Sequence, residues 1–162
     1  MKKILFPVLL ISVALQAQLQ WRPLASSITN IDNQRFDDIF FINENLGWAA
    51  NGAYAAVYKT TDGGATWTTQ VTEQSLGGNY YFRNIEFLDE NIGFLGTLNN
   101  LFLKTNDGGT NWVPVTNLPN NPGAICGLDA VGSSTIYGCG AYFSPAFIIK
   151  SSDSGETWTS KD

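Results

Sequence analysis

Thr60-Thr61-Asp62-Gly63-Gly64-Ala65-Thr66-Trp67 returns 45 residues on as Thr105-Asn106-Asp107-Gly108-Gly109-Thr110-Asn111-Trp112, and again 46 residues later as Ser151-Ser152-Asp153-Ser154-Gly155-Glu156-Thr157-Trp158. Each copy places a short carboxylate two residues after a hydroxyl, glycine where a turn needs a left-handed backbone angle, and a tryptophan at the end. A carboxylate so placed accepts hydrogen bonds from turn amides that would otherwise go unpaired, and the indole is suited to burial between neighbouring sheets. A fixed period of this size is the signature of stacked supersecondary units. Trp21 lies 46 residues before Trp67 and keeps the same register.

A second block repeats upstream of each motif. Asp38-Ile39-Phe40-Phe41-Ile42 with Asn45-Leu46-Gly47-Trp48 matches Asn84-Ile85-Glu86-Phe87-Leu88 with Asn91-Ile92-Gly93-Phe94. A weaker copy runs Gly127-Leu128-Asp129-Ala130-Val131 with Ser134-Thr135-Ile136-Tyr137. Phe36 to Ile42 reads as a strand buried on both faces, Trp48 to Ala50 as a second, Ala56 to Thr60 as a third and Thr66 to Val71 as a fourth. No helical period follows the N-terminal segment. Four strands per repeat of this length is the pattern of a β-propeller blade. The expected fold is all-β, a partial β-propeller of about three four-stranded antiparallel blades. The expected divisions are 1–17 signal peptide, 18–35 closing strand and linker, 36–80 first blade, 81–120 second blade and 121–162 third blade.

The hairpin motif resembles the Asp-box, or BNR-repeat, propellers. Gly47-Trp48 followed by Tyr58-Lys59-Thr60-Thr61-Asp62-Gly63-Gly64-Ala65-Thr66-Trp67 is similar, more narrowly, to the photosystem II stability/assembly factor-like repeats. The resemblance covers residues 21–162. It implies that Thr60, Asp62, Gly64 and Trp67, with Thr105, Asp107, Gly109 and Trp112, and Ser151, Asp153, Gly155 and Trp158, are structural. It places them in the hairpin between the third and outermost strands, away from the central channel. Asn111 stands where Thr or Ser is usual, and its amide retains hydrogen-bonding capacity. Calcium binding is not expected, because the motif lacks the alternating acids and terminal glutamate of a calcium loop.

Composition closes several chemistries. The 162 residues include no histidine, so there is no Ser-His-Asp or Cys-His relay and no histidine metal site. Two cysteines do not make a four-ligand zinc cage. A formal net charge of −5 opposes nucleic-acid binding. No dinucleotide or phosphate-loop glycine spacing is present; no metal or cofactor is expected. Met1-Lys2-Lys3, the apolar run Ile4 to Leu15 and Gln16-Ala17-Gln18 form a signal-peptide pattern cleaved after Ala17. The run is shorter than the roughly 20 residues a membrane span requires. With no cysteine near the cleavage region, a lipid anchor is not expected. The expected location is secreted, periplasmic or cell-surface.

Cys126 and Cys139 are the only thiols, and an exported chain permits a disulfide between them. If Leu128 faces Tyr137 across the first hairpin of the third repeat, the two cysteines also face each other; the alternative is two buried thiols. Arg35, Asp37, Asp38, Tyr80, Tyr81 and Arg83 precede or open innermost strands, where a propeller channel meets its partners, and form a candidate partner-binding face; the alternative is solvated loop charge. Sialidases share the hairpin motif but require an arginine triad, and this chain has three arginines in all, with Arg22-Pro23-Leu24 in place of their Arg-Ile-Pro. No acid pair is placed by motif at the roughly 5–10 Å separation of glycoside hydrolases. No catalytic residue is assigned. The expected function is an exported, non-catalytic scaffold binding a protein or glycan; the alternative is the N-terminal portion of a sialidase-like or xyloglucanase-like hydrolase. Residues 18–162 divided by the period give about three blades, fewer than the four or more needed for closure. The chain therefore reads as an N-terminal fragment of a longer propeller, or as one that self-associates through exposed blade faces.

Overall fold

The computed structural model describes residues 35–120, 122–140 and 146–161. The signal segment, Trp21 and the closing strand around it lie outside the described residues. The first sheet joins β1 (Phe36–Phe41), β2 (Gly47–Asn51), β3 (Ala56–Thr60) and β4 (Thr68–Thr72) in that order. After α1 (Glu73–Leu76), the second joins β5 (Phe82–Phe87), β6 (Gly93–Thr97), β7 (Phe102–Thr105) and β8 (Val113–Pro114). The third joins β9 (Gly127–Val131), β10 (Thr135–Gly140), β11 (Phe147–Ser151) and β12 (Thr159–Lys161). Every pairing is antiparallel between sequence neighbours. β5 packs against β1 and β2, and β9 packs against β5 and β6. The fold is a three-bladed arc of a β-propeller. The single turn of α1 was not foreseen; Thr72 caps its start and Gly77, at φ 70°, ends it.

The cores lie between the sheets. In the first, Phe87 of β5 lies flat on Trp48 of β2, ring centres 3.6 Å apart and planes at 10°. Trp112 meets Phe87 edge-on at 6.0 Å, and the Trp48 indole N–H donates to the Gly108 carbonyl at 3.0 Å. In the second, Trp158 stands edge-on to Phe94 at 5.7 Å and to Phe102 at 5.3 Å. Trp158 thus packs onto the preceding blade, and Trp112 closes the core that also holds Trp48 of the preceding blade. Inner strands are also stapled: the Ile85 amide donates to Asp38 Oδ2 at 2.9 Å, and the equivalent Asn84 side chain donates to the Ile125 carbonyl at 2.8 Å.

β1 departs from the expected two-sided burial. Ile39 is 59% exposed and Phe41 38%, whereas their equivalents on β5, Ile85 and Phe87, are 1% and 2% exposed. Among the described residues no sheet covers the front of the first blade, so this face stays open. Trp67 is half-buried for the same reason, while Trp112 and Trp158 are buried.

The three hairpins repeat one hydrogen-bond set. Asp62 Oδ1 accepts from the Thr66 amide at 2.7 Å and the Thr60 hydroxyl at 2.8 Å, and Oδ2 accepts from the Thr66 hydroxyl at 2.6 Å. Asp153 does the same with Thr157 and Ser151. At Asp107 the Asn111 side-chain amide replaces the hydroxyl, donating at 2.7 Å. The hydroxyl that opens each motif accepts from the glycine amide four residues on. Bonds from Thr157 hold the Asp153 carboxyl down at about 2 from its ordinary 3.8; the Asp62 carboxyl is lowered by Thr66, and that of Asp107 by the backbone and side-chain amides of Asn111.

Two outcomes follow from this arrangement. Because the three aspartates bind protons more weakly folded than unfolded, their contribution is complete above about pH 4 and fades as pH falls below it, for Asp153 towards about 2. An acid titration followed by circular dichroism should show this loss, reduced when Asp153 is replaced by Asn. In chemical denaturation, Trp112→Ala and Trp158→Ala should each cost about 3–5 kcal/mol as core truncations, and Trp67→Ala distinctly less.

Candidate functional site

The candidate partner face is built on two β-bulges. β1 pairs Phe36 with Asn51 and then Asp38 with Ala50, skipping Asp37; β5 pairs Phe82 with Thr97 and then Asn84 with Gly96, skipping Arg83. Asp37 and Arg83 are equivalent positions of successive repeats, each an unpaired bulge residue whose side chain is re-aimed relative to the pleat. They meet: Arg83 Nη1 donates to Asp37 Oδ1 at 3.0 Å. Arg35 reaches the same oxygen with Nε at 3.0 Å and Nη2 at 2.9 Å, and the Tyr81 hydroxyl donates to it at 3.4 Å. The Asp37 side chain is fully buried, while those of Arg35 and Arg83 are 69% and 36% exposed.

The structure thus gathers Arg35, Asp37, Tyr81 and Arg83. It does not bring Tyr80 into the cluster; that ring packs against the first core. Asp38 turns to the Ile85 amide and serves the blade junction. Two further residues frame the cluster. Asn99 Oδ1 accepts from the Tyr81 amide at 2.6 Å and holds the loop that carries the phenol. A Cβ on Gly52 would overlap both Asp37 Oδ2 and the Tyr81 ring, so only glycine leaves the buried carboxylate its space. Neither residue carries a sequence signal, because both act through backbone proximity set by the bulges. The cluster holds two positive charges against one negative, a local excess of one on an acidic chain.

A second polar group lies on the same inner strands. Glu86 occupies the position of Phe40 in the first blade and Asp129 in the third. Burial pushes its carboxyl up to about 7 against the pull of a hydrogen bond from the Ala130 amide, with Asp129 and Asp38 adding repulsion. An acid in a repeat position held elsewhere by phenylalanine was the available signal. Among the described residues, no group of three or more Cys, Asp or Glu is placed to hold a metal ion, and no helix is long and apolar enough to cross a membrane.

The cysteine register differs from the expected one. β9 and β10 pair Leu128 with Gly138 and Gly127 with Cys139, one residue away from the Leu128–Tyr137 pairing that would have set the thiols opposite each other. Cys126 sits just beyond the ladder, its amide donating to the Cys139 carbonyl at 2.7 Å. Both thiols are free. Cys126 occupies the repeat position of Asp37 and Arg83.

Because the Glu86 carboxyl is raised from 4.5 to about 7 in the fold, the folded state binds the proton more tightly than the unfolded chain. Its contribution is complete below about pH 4.5 and is lost as pH rises through about 7. Thermal melts across this window should show falling stability, and Glu86→Gln, which keeps an acceptor for Ala130 without a titrating charge, should flatten the slope.

Residues 13–162 match the family described as photosynthesis system II assembly factor YCF48. The photosystem II assembly lipoprotein Ycf48 of Synechococcus sp. (strain CC9902) is 27% identical over 124 residues, 75% of this chain and 35% of the relative. A solved structure of YCF48 bound to D1 peptide is 28% identical, covering 78% of this chain and 40% of that one, with a TM-score of 0.62. YCF48 from Cyanidioschyzon merolae is 26% identical over 78% of this chain and 39% of its own, also at 0.62. A GH74 enzyme from Niastella koreensis is 25% identical, covering 76% of this chain and 22% of its own, at 0.57. The chain therefore spans well under half the length of these relatives. The match over residues 13–162, together with the three-bladed arc, establishes that the chain belongs to the YCF48-type photosystem II assembly factor family of BNR-repeat propellers.

Proposed function

We propose that this chain is part of an exported, non-catalytic propeller that binds a protein partner, and that Arg35, Arg83 and Tyr81 form its contact with an acidic peptide segment. One observation carries the reading: two guanidinium groups and a phenol converge on one fully buried carboxylate, while the arginines remain partly open to solvent. Asp37 orients them without neutralising both, and guanidinium forks suit a peptide carboxylate. The relative solved with a D1 peptide supports a peptide partner, and the lipoprotein relative supports export, as does the N-terminal signal pattern. The structural aspartates act as hairpin rivets in this reading, and their bonds within their own hairpins support that role.

A labelled acidic peptide with a free C-terminal carboxylate should bind in a salt-sensitive manner by fluorescence anisotropy. Arg35→Ala, the more exposed of the two arginines, should weaken binding roughly tenfold or more, the worth of a charged hydrogen bond. Binding indifferent to Arg35→Ala and to salt would remove the cluster from the interface. A second reading has one specific support: Glu86 carries a raised carboxyl beside Asp129, as a general acid would, and one structural relative is a GH74 enzyme. Release of reducing sugar from a β-glucan, abolished by Glu86→Gln, would favour that glycan-directed hydrolase over the scaffold.

A further inference from the structure

The arginine cluster between the first and second blades is satisfied from inside, and unevenly. Asp37 Oδ1 accepts from Arg35 through Nε at 3.0 Å and Nη2 at 2.9 Å, from Arg83 Nη1 at 3.0 Å and from the Tyr81 hydroxyl at 3.4 Å. Oδ2 of the same carboxylate is buried and accepts from none of the described residues. It lies against Gly52, where an added Cβ would overlap both it and the Tyr81 ring. A carboxylate has about four lone-pair sites spread over two oxygens, and it binds guanidinium best through two parallel bonds, one to each oxygen. Arg35 instead spends both N–H groups of its fork on one oxygen that two further donors share. It can make a better bond with a carboxylate that arrives from solvent.

Such an exchange leaves the buried acid partnered. The Arg35 side chain is the outermost of the group at 69% exposed, against 36% for Arg83 and 0% for Asp37. When Arg35 turns outwards, Asp37 Oδ1 keeps the Arg83 guanidinium and the Tyr81 hydroxyl, so no charge is stranded in the interior. The neighbouring acid does not compete for Arg35: Asp38 Oδ1 accepts from the Ile39 amide and Oδ2 from the Ile85 amide. Asp37 and Arg83 sit in the bulges of β1 and β5, outside the ladders. Releasing Arg35 therefore moves one side chain and disturbs no strand pairing.

We infer that Asp37 is an internal stand-in for the partner's carboxylate, latching Arg35 in the free chain and giving it up when an acidic segment arrives. Arg35 then closes its fork on the incoming carboxylate while Arg83 and Tyr81 stay on Asp37. The inference rests on the acidic-peptide reading above and adds the regulation of that site. The latch sets affinity, because the apparent Kd is the intrinsic one divided by the fraction of molecules in which Arg35 is open. A pair with so exposed a partner holds weakly, so the latch lowers affinity by a few-fold and not by orders of magnitude. In the free chain it also keeps two like charges from standing unpaired side by side.

The sign of the Asp37→Asn effect tests the latch, since asparagine keeps an acceptor oxygen for Arg83 and removes the charge that holds Arg35. Fluorescence anisotropy with the labelled acidic peptide should show binding tightened about two- to fivefold, the worth of a largely exposed ion pair. The gain should vanish when Arg35→Ala is added, and circular dichroism should match the parent chain. Weaker binding by a folded Asp37→Asn variant, or a gain that persists without Arg35, overturns the latch while leaving the peptide site in place. Where the substitution unfolds the chain, isotope-labelled NMR of the parent decides. A through-hydrogen-bond coupling between Arg35 Nε and the Asp37 carboxyl carbon should be present in the free chain and lost on saturation with peptide; its persistence overturns the inference. Peptide binding indifferent to Arg35→Ala overturns both the latch and the reading beneath it.

Discussion

The wedge of an indole between adjacent sheets is the interaction on which this architecture depends. A lone four-stranded antiparallel sheet with two apolar faces has nowhere to bury them, and its hydrophobic gain is realised only against a neighbour. Here the neighbour is engaged by a tryptophan placed at the end of a hairpin whose shape is fixed by an aspartate. The carboxylate takes the turn donors, the turn sets where the outer strand begins, and the strand begins with the ring that closes the junction. Removing the acid therefore acts at a distance from itself, through the position of the indole.

The junctions combine this apolar wedge with polar links nearer the channel. Asp38 and Glu86 each spend a side chain on the backbone of the following inner strand, and Asn84 on the Ile125 carbonyl in the segment that leads into β9. These links fix the relative height of neighbouring blades, which stacking alone leaves free to slide. Glu86 combines this link with partial burial of a titratable group, so the same contact that aligns two blades also responds to protons.

Much of the architecture was legible because repeats report themselves. The spacing of Asp62, Asp107 and Asp153, and the aromatic block upstream of each, marked the strands and hairpins to within a residue or two. The candidate site was legible only as a neighbourhood. Arg35, Asp37, Tyr81 and Arg83 could be placed near the opening of inner strands, but a bulge is a one-residue irregularity without a residue signature, and it decided that Asp37 is buried and Arg83 faces it. Tyr80, one residue from Tyr81, went to the core for the complementary reason. The cysteines show the same sensitivity: a ladder displaced by a single residue was enough to separate two thiols that a neighbouring register would have opposed. Exposure of Ile39 and Phe41 was hidden because sequence gives a strand's own faces and not the presence of a neighbour.

The bulge position has a consequence for how such a propeller acquires specificity. Two successive copies hold an acid and a base there, Asp37 and Arg83, and the third holds a thiol, Cys126, at the same repeat position just outside its own ladder. Because a bulged residue stands outside the ladder, its replacement leaves the strand pairing intact. Recognition chemistry can then drift blade by blade while the scaffold is held constant, like type changed in a fixed frame.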